Sequence, residues 1–441
     1  MKKTLLALVF ALLSLNIAKG ADTVYINTPQ EFIQFSKNVD VGNYRDATVF
    51  LQNDIDLTGL SDQFEPIGNI YGNGFYGTLD GQGHTISHLT YHNTRYWYAG
   101  LVGFSLGATV RNIIMDKTCS ITGISALNTS SHTETMSYGG IVGACQAAKK
   151  ECIIENNIFM GKVEFSGVTD QGINLHIGGI VGDTGAAGYT VVSNCVNYGT
   201  VSFTGKTALV DMGGVVGTLI LRYYNSYGYS RLYNCLNYGF ISFTGTATKT
   251  TRIGGVIGSN DYADVEIDNI VNFGTIYNRP KTVSPTEEIG SLIGMLYYVN
   301  MRYSYWSLGS GYGPVGEFYN DEATMYMCAN FSTSTLVLSE PVSIGTYYYG
   351  VSLVLALNGR CQANLTARYS KWLLNKDNHD VTFSVNNEAP FFKMNSQLIQ
   401  MPNRADAAGK KFDGWYTDST YTTPITNFYV YKDLDLYGKY V

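Results

Sequence analysis

Several groups of residues in this chain have types that could do chemistry, and their spacing decides what each can do. Gly103-Phe104-Ser105-Leu106-Gly107 fits the GxSxG pattern of a serine nucleophile. That chemistry needs a sharp strand-to-helix elbow, and here the pattern sits in a turn that leads into another strand. Gly72-Asn73-Gly74-Phe75-Tyr76-Gly77 fits GxGxxG, but TLDGQGHTI follows where a dinucleotide site needs a helix. His84, His88 and His92 share strand parity. Four residues of strand separate neighbours by about 13 Å, too far to share one ion. Asp261, Asp264, Glu266 and Asp268 form the densest acidic group; they lack EF-hand spacing and read as a solvated strand face, with calcium as the alternative. The expectation is therefore a protein that is not an enzyme, with no catalytic residue, no metal and no cofactor.

The seven cysteines are Cys119, Cys145, Cys152, Cys195, Cys235, Cys328 and Cys361, an odd number in which one stays free or pairs between chains. Cys145 and Cys152 flank a short loop that a disulfide could staple. Cys195 and Cys235 recur one repeat apart, where Cα atoms about 4.8 Å apart fall inside disulfide range. Buried thiols filling a core are the alternative for that pair.

What positions these residues is a repeat. A glycine-paired block occurs six times, as AGLVG (Ala99 to Gly103), GGIVG (Gly139 to Gly143), GGIVG (Gly178 to Gly182), GGVVG (Gly213 to Gly217), GGVIG (Gly254 to Gly258) and GSLIG (Gly290 to Gly294). Successive blocks start 40, 39, 35, 41 and 36 residues apart. A period of that size marks a solenoid, in which each unit buries its apolar face only against its neighbours. Between blocks, VRNIIMDKTCSITG (Val110 to Gly123), IENNIFMGKVEFSG (Ile154 to Gly167), VSNCVNYGTVSFTG (Val192 to Gly205) and YNCLNYGFISFTG (Tyr233 to Gly245) align without gaps. Val201 and Phe203 alternate with Ser202 and Thr204, the period of two that defines a strand with one buried side. Stacking predicts inward columns of Val163, Val201 and Ile241 and of Phe165, Phe203 and Phe243. Thr28-Pro29-Gln30-Glu31 reads as a capping box that opens a short amino-terminal helix.

Composition agrees with turn-rich β structure: 48 glycines and 9 prolines in 441 residues, 35 tyrosines, and 15% charged residues. Residues 1–20 carry two lysines, an apolar run and small residues before Ala21, the pattern of a secretory signal. Removing it leaves 26 basic against 35 acidic residues, a net charge of about −9, which argues against nucleic acid as a partner. No later stretch is long and apolar enough to be read as a transmembrane helix. The expected location is secreted, extracellular or at the cell surface, and the oligomeric state is not readable. Asn128, Asn330 and Asn364 head glycosylation sequons.

The glycine block, together with TPQEFIQFSKNV, FLQNDIDLTGL, FYGTLDGQGHTISHLTY and YAGLVGF upstream, resembles the GLUG-motif family of secreted and surface proteins. The resemblance implies a right-handed parallel β-solenoid (β-helix) in an adhesin-like, non-catalytic role. No HExxH occurs for the zinc peptidase activity of some such proteins. At the carboxyl end, VTFSVNN (Val381 to Asn387) and KKFDGWYTDSTYTTPITNFYVYKDLDLYGKY (Lys410 to Tyr440) are similar to a Listeria-Bacteroides repeat of the internalin B-repeat type, which implies a small β-grasp-like module built on Phe412, Trp415 and Tyr416. Gly438 and Tyr440 depart from that family's usual alanine and tryptophan, which implies a looser last strand. The expected organisation is all-β: signal 1–20, amino-terminal cap and first coils 21–95, repeat solenoid 96–320, carboxyl-terminal cap or linker 321–376, and module 377–441, with few contacts between module and coils.

The tyrosines suggest where a partner binds. LILRYYNSYGYSRLY (Leu219 to Tyr233) and MLYYVNMRYSYWSLGSGYG (Met295 to Gly313) follow the fourth and sixth glycine blocks. Read as loops rising from one corner, they place Tyr223, Tyr224, Tyr227, Tyr229, Tyr303, Tyr305, Trp306 and Tyr312 around a saddle. Rigid amphipathic rings among Ser, Gly, Asn and Arg are the composition of recognition loops, with packing against the coil edge as the alternative. The functional expectation is a binding protein for a glycan or an extracellular protein. A carbohydrate-active β-helix enzyme and a purely structural spacer are the other classes.

Overall fold

Each repeat closes into one coil because particular residues turn the chain at fixed corners. The computed structural model describes residues 22–441 apart from 69–72, 95, 125–134, 149, 170–172, 186–187, 221–228, 262–264, 283, 298, 320–323, 335, 337, 342–351, 364–369, 376, 386–391 and 403–411. A coil has five short strands, here called faces 1 to 5. In one coil these are Tyr189–Ser193, Val196–Asn197, Thr200–Phe203, Lys206–Gly213 and Val216–Ile220. Stacked coil on coil, they give parallel sheets of ten strands on faces 1 and 2, six on faces 3 and 4, and seven on face 5. The last strand of face 2, Leu338–Pro341, is antiparallel to its neighbour. The chain is thus an all-β parallel solenoid.

The register matches the gapless repeat alignment: Val163 pairs with Val201 and Val201 with Ile241, and Phe165 pairs with Phe203 and Phe203 with Phe243. All six side chains are fully buried. The phenylalanine rings stack with centroids 6.1 and 5.3 Å apart and planes within 10°.

Asparagines turn the chain between faces 1 and 2. Asn112, Asn156, Asn194, Asn234 and Asn269 all have φ between 52° and 57°, the left-handed region asparagine tolerates better than most residues. Their side chains also link coils: Asn234 Nδ2 donates to Asn194 Oδ1 and Asn269 Nδ2 to Asn234 Oδ1, each at 2.7 Å. A second buried ladder runs through Asn197, Asn237 and Asn272 at 2.8 and 3.0 Å. Buried amides paired in this way lose little on desolvation, whereas one left unpaired costs about 1–3 kcal/mol.

The glycine block makes the turn between faces 4 and 5. A Cβ on Gly178 would lie 1.9 Å from the Val181 carbonyl oxygen and 2.7 Å from the Gly217 nitrogen, so the position admits no side chain. The two faces fold back on each other as an arch, with their outer surfaces in contact. A narrow second layer results, apolar at its amino-terminal end, where Tyr98 stacks on Phe104 at 4.8 Å and Leu106 and Ala144 are buried.

At the amino-terminal end, helix α1 (Pro29–Asp40) packs Phe32, Ile33, Phe35 and Val39 against the first coils. Thr28 Oγ1 accepts from the Glu31 N–H at 3.2 Å, as the capping box predicts, while the Glu31 carboxylate accepts from the Asn27 N–H at 2.7 Å, one residue earlier than expected.

Three expectations at the carboxyl end need correcting. The segment read as an aromatic loop after Met295 forms further coil strands, Asn300–Arg302 on face 1 and Tyr305–Ser307 on face 2; Thr324–Tyr326 and Ala329–Phe331 extend the stack again, past residue 320. The tail is also not a weakly attached module. Its four-stranded sheet, with Val381–Val385 parallel to Leu434–Tyr440 at the centre, shares one buried cluster with Ile158, Val196, Leu236, Val271 and Tyr305 of face 2. The outward rings of face 2, Tyr198, Tyr238, Phe273 and Phe331, stack 4.5 to 5.4 Å apart. The Tyr238 hydroxyl accepts from the Leu398 N–H at 2.8 Å, and that of Tyr198 lies 3.2 Å from Ser396 Oγ. Helix α2 (Leu353–Ala363) and buried Trp372 join the same cluster, and Trp372 Nε1 donates to Asn234 Oδ1 at 2.9 Å. The last strand is not loose: the Phe412 and Trp415 rings lie 2.9 and 3.1 Å from where a Gly438 Cβ would be, filling that space.

Phe203→Ala should cost about 3–5 kcal/mol in denaturant unfolding, as expected for a buried phenylalanine, and Ser202→Ala within about 0.5 kcal/mol. The Ser202 Oγ is buried without a hydrogen-bond partner among the described residues, so its loss removes none of the bonds described. Deleting residues 377–441 should lower the melting temperature and reduce solubility, because it strips the cover from the face 2 rings; an unchanged melting curve would show that the shared cluster carries no stability.

Candidate ligand-binding surfaces

Among the described residues the expected aromatic saddle is not assembled. Tyr305 and Trp306 are 0% and 4% exposed in a paired face 2 strand and cannot meet a ligand. The ring of Tyr303 packs under the Arg360 guanidinium, 4.3 Å from its centroid, and Tyr312 lies partly buried against the main core. Tyr229 is half-buried on face 1, with its ring 4.6 Å from Tyr189 and its hydroxyl donating to Glu151 at 3.1 Å. Tyr223, Tyr224 and Tyr227 lie outside the described residues. A coil strand rich in tyrosine has the composition of a recognition loop, and only its stacking partners distinguish the two.

The other sequence candidates have separate roles. Ser105 is fully buried and its Oγ accepts from the Ala108 N–H at 2.9 Å. His84 and His88 pair with Asp54 and Asp56 of the preceding coil at 3.2 and 2.9 Å, and His92 lies 2.6 Å from Thr122 Oγ1. Glu266 binds Arg231, and Asp268 binds Arg360. All seven cysteines are free thiols. The hydrogen bond to Cys152 and burial push the Cys145 thiol up, and burial with Cys195 alongside does the same to Cys235. Each expected pair is therefore adjacent, without the bond. Asn330 sits in a paired strand with its carboxamide oxygen buried, a poor glycan acceptor, while Asn128 and Asn364 lie outside the described residues.

A charged column fills the rest of the arch. Ser137, His176, Asp211, Arg252 and Glu288 stand in register on face 4, each two residues before its glycine pair. His176 Nδ1 lies 3.1 Å from Asp183 and Nε2 3.5 Å from Asp211, at 2% exposure. Asp211 Oδ2 accepts from Thr218 and Ser259 at 2.9 and 2.8 Å, and Arg252 Nε donates to Glu288 at 2.7 Å. Burial pushes the Glu288 carboxyl up, against the opposing pull of Arg252. Serine, histidine and aspartate thus line up in sequence, but both imidazole nitrogens face carboxylates and none is left for Ser137. The column is paired internally, as buried charge must be, and it offers no nucleophile. Its signal in the sequence is positional: a polar or charged residue stands two places before the glycine block in five of the six repeats, the first having Trp97 there.

An open site lies in the tail instead. A cleft of about 320 Å³ runs between Ser370, Lys371, Met401 and Pro402 on one side and Phe412, Asp413, Gly414, Trp415, Tyr416, Pro424 and Ile425 on the other. Its volume is at the small end of ligand clefts, about 300–1,000 Å³. Trp415 is held in place: its Nε1 donates to the Pro402 carbonyl at 2.8 Å and its ring meets Phe383 and Phe412 at 5.1 and 5.4 Å. Tyr416 is half-buried, and its hydroxyl donates to the exposed Asp413 carboxylate. Ser370 is anchored to the solenoid, donating its N–H to Asn194 Oδ1 at 2.9 Å and accepting from Asn234 Nδ2 at 2.9 Å. The aromatics were legible as module core; the opposite wall was not, because it depends on how the tail docks.

No family model and no curated protein matches the chain. A solved structure, a putative immunoglobulin A1 protease from Bacteroides ovatus, is similar over 70% of this chain and 84% of that chain, with a TM-score of 0.48 and 17% sequence identity.

The histidine–aspartate pairs generate a pH prediction. The hydrogen bond from His84 holds the Asp54 carboxyl below the usual range. A folded value below the unfolded one contributes stability above about pH 3.9, and that contribution is lost as pH falls through the folded value. Asp54→Asn should therefore lower the melting temperature at pH 7, with the difference from the parent closing below about pH 3.9. A gap of constant size down to acid would exclude this linkage.

Proposed function

We propose that this chain is a secreted or cell-surface, non-catalytic binding protein of adhesin type, whose ligand is a glycan or an extracellular protein. The reading rests on the aromatic cleft, where Tyr416, Phe412 and Pro424 offer flat apolar surface while Lys371 and Asp413 stand exposed at the rim. A few polar groups around an apolar floor are the usual composition of a recognition site. The resemblance of the coils to GLUG-motif proteins and of the tail to a Listeria-Bacteroides repeat supports the same class, and the signal-like residues 1–20 support export. The solenoid then acts as the support that holds the tail in place.

The test is retention of the full chain on immobilised glycans and matrix proteins, with product analysis of each soluble ligand. We expect retention without turnover. Tyr416→Ala should weaken retention at least tenfold and leave the melting temperature within about 2 °C, since a half-buried ring at the rim contributes little to folding. Release of cleaved product would favour the carbohydrate-active enzyme, and undiminished retention by Tyr416→Ala would place binding elsewhere.

A further inference from the structure

We infer that the cleft of the tail recognises an acidic sugar, a pyranose ring carrying a carboxylate, and that Lys371 supplies the selectivity. The inference rests on the binding role proposed above and names its ligand.

The walls favour a sugar over an extended peptide. A peptide would bind by adding a strand to the sheet edge at Phe412–Tyr416. Part of that edge is already taken, since the Ile425 N–H donates to the Trp415 carbonyl at 3.0 Å and Tyr416 bridges to Pro424. The remainder carries a bulge, with the register shifting between Phe412 and Gly414 and Gly414 at φ 141°. A bulge blunts an edge against further pairing. A pyranose needs no ladder. It has a flat face of C–H groups and a polar circumference, which match a ring surface bordered by hydroxyl, ammonium and carboxylate.

The polar groups at the border are unequal. Asp413 already accepts from the Tyr416 hydroxyl. Lys371 is exposed, and among the described residues no carboxylate lies within ion-pair distance of its ammonium, whose nearest aromatic contact is the Phe428 ring at 5.7 Å. Next to it, Ser370 is 4% exposed and its Oγ has no hydrogen-bond partner among the described residues. An exposed ammonium without a carboxylate partner among the described residues, at the edge of an aromatic cleft, is a receptor for an oxyanion. The net charge of −6 makes this local positive site stand out against the rest of the chain.

The experiment uses the full chain and two oligosaccharides that differ only at the terminal ring, glucuronate in one and glucose in the other, with affinities measured by calorimetry. The expected result is at least about tenfold tighter binding of the acid, as for one charge-assisted contact, with the preference shrinking as salt is raised. Lys371→Gln should abolish the preference and leave the affinity for the neutral sugar within about twofold. Lys371→Arg should restore most of it, and Tyr416→Ala should weaken both sugars alike. Equal affinities in the parent, or a preference that survives Lys371→Gln, overturns the inference. If neither sugar binds while a matrix protein is retained and released by Tyr416→Ala, the sugar inference falls and the binding role stands. If nothing is retained at all, both fall.

Discussion

The contact on which the rest of this molecule depends is the backbone-to-backbone approach of faces 4 and 5 at the glycine columns. Each coil must double back there, and it can do so only where no Cβ intervenes, as at Gly178 against the Val181 carbonyl. Once the arch closes, the height of a coil is fixed by the strand ladder, and each residue of a repeat is held over its counterpart in the next. The register of faces 1 to 3 then needs no further specification. A solenoid is a one-dimensional stack, so a local error shifts every later coil, and the glycine columns are the point at which such a shift would be sterically penalised.

The arch also explains why charge is buried in a protein with so little of it. Along its length the interior passes from the Tyr98–Phe104 stack to a column in which His176, Asp211, Arg252 and Glu288 pair with one another. Such a column adds little net stability, because desolvation offsets most of the attraction. It does bear on register: a one-coil slip would set the Asp211 carboxylate against that of Glu288 and take Arg252 from between them.

The sequence showed most of this wherever a residue's environment repeats. The Val163, Val201 and Ile241 column, the phenylalanine column and the helix at Thr28 could be read directly, because local period and tertiary position coincide there. It misled where a coil loses its period. After Gly294 the chain shortens, the asparagine corner is filled by Tyr303, at φ 50°, and then Met327, at φ 56°, and tyrosine-rich strands take on the composition of loops. Tyr305 and Trp306 were therefore read as exposed when they are core. The docking of the tail was missed for a different reason. Tyr198, Tyr238 and Phe273 share one outward position in successive repeats, which marks a surface strip, but nothing in a strip of rings says which part of the chain will cover it.

That covering decides where a ligand can be met. Along the coils the stacked rings of face 2 lie under the tail, and the arch is filled and paired within itself. Among the described residues an open cleft lies at the seam where the tail meets the asparagine corner, since Ser370 is hydrogen-bonded to Asn194 and Asn234 while Phe412 to Tyr416 belong to the separate sheet. The Ser370 backbone is tied to the asparagine ladder, and the Trp415 indole bridges the two walls by donating to the Pro402 carbonyl. On the binding role proposed above, a cleft whose walls are held by such bonds would spend little ordering entropy on a ligand.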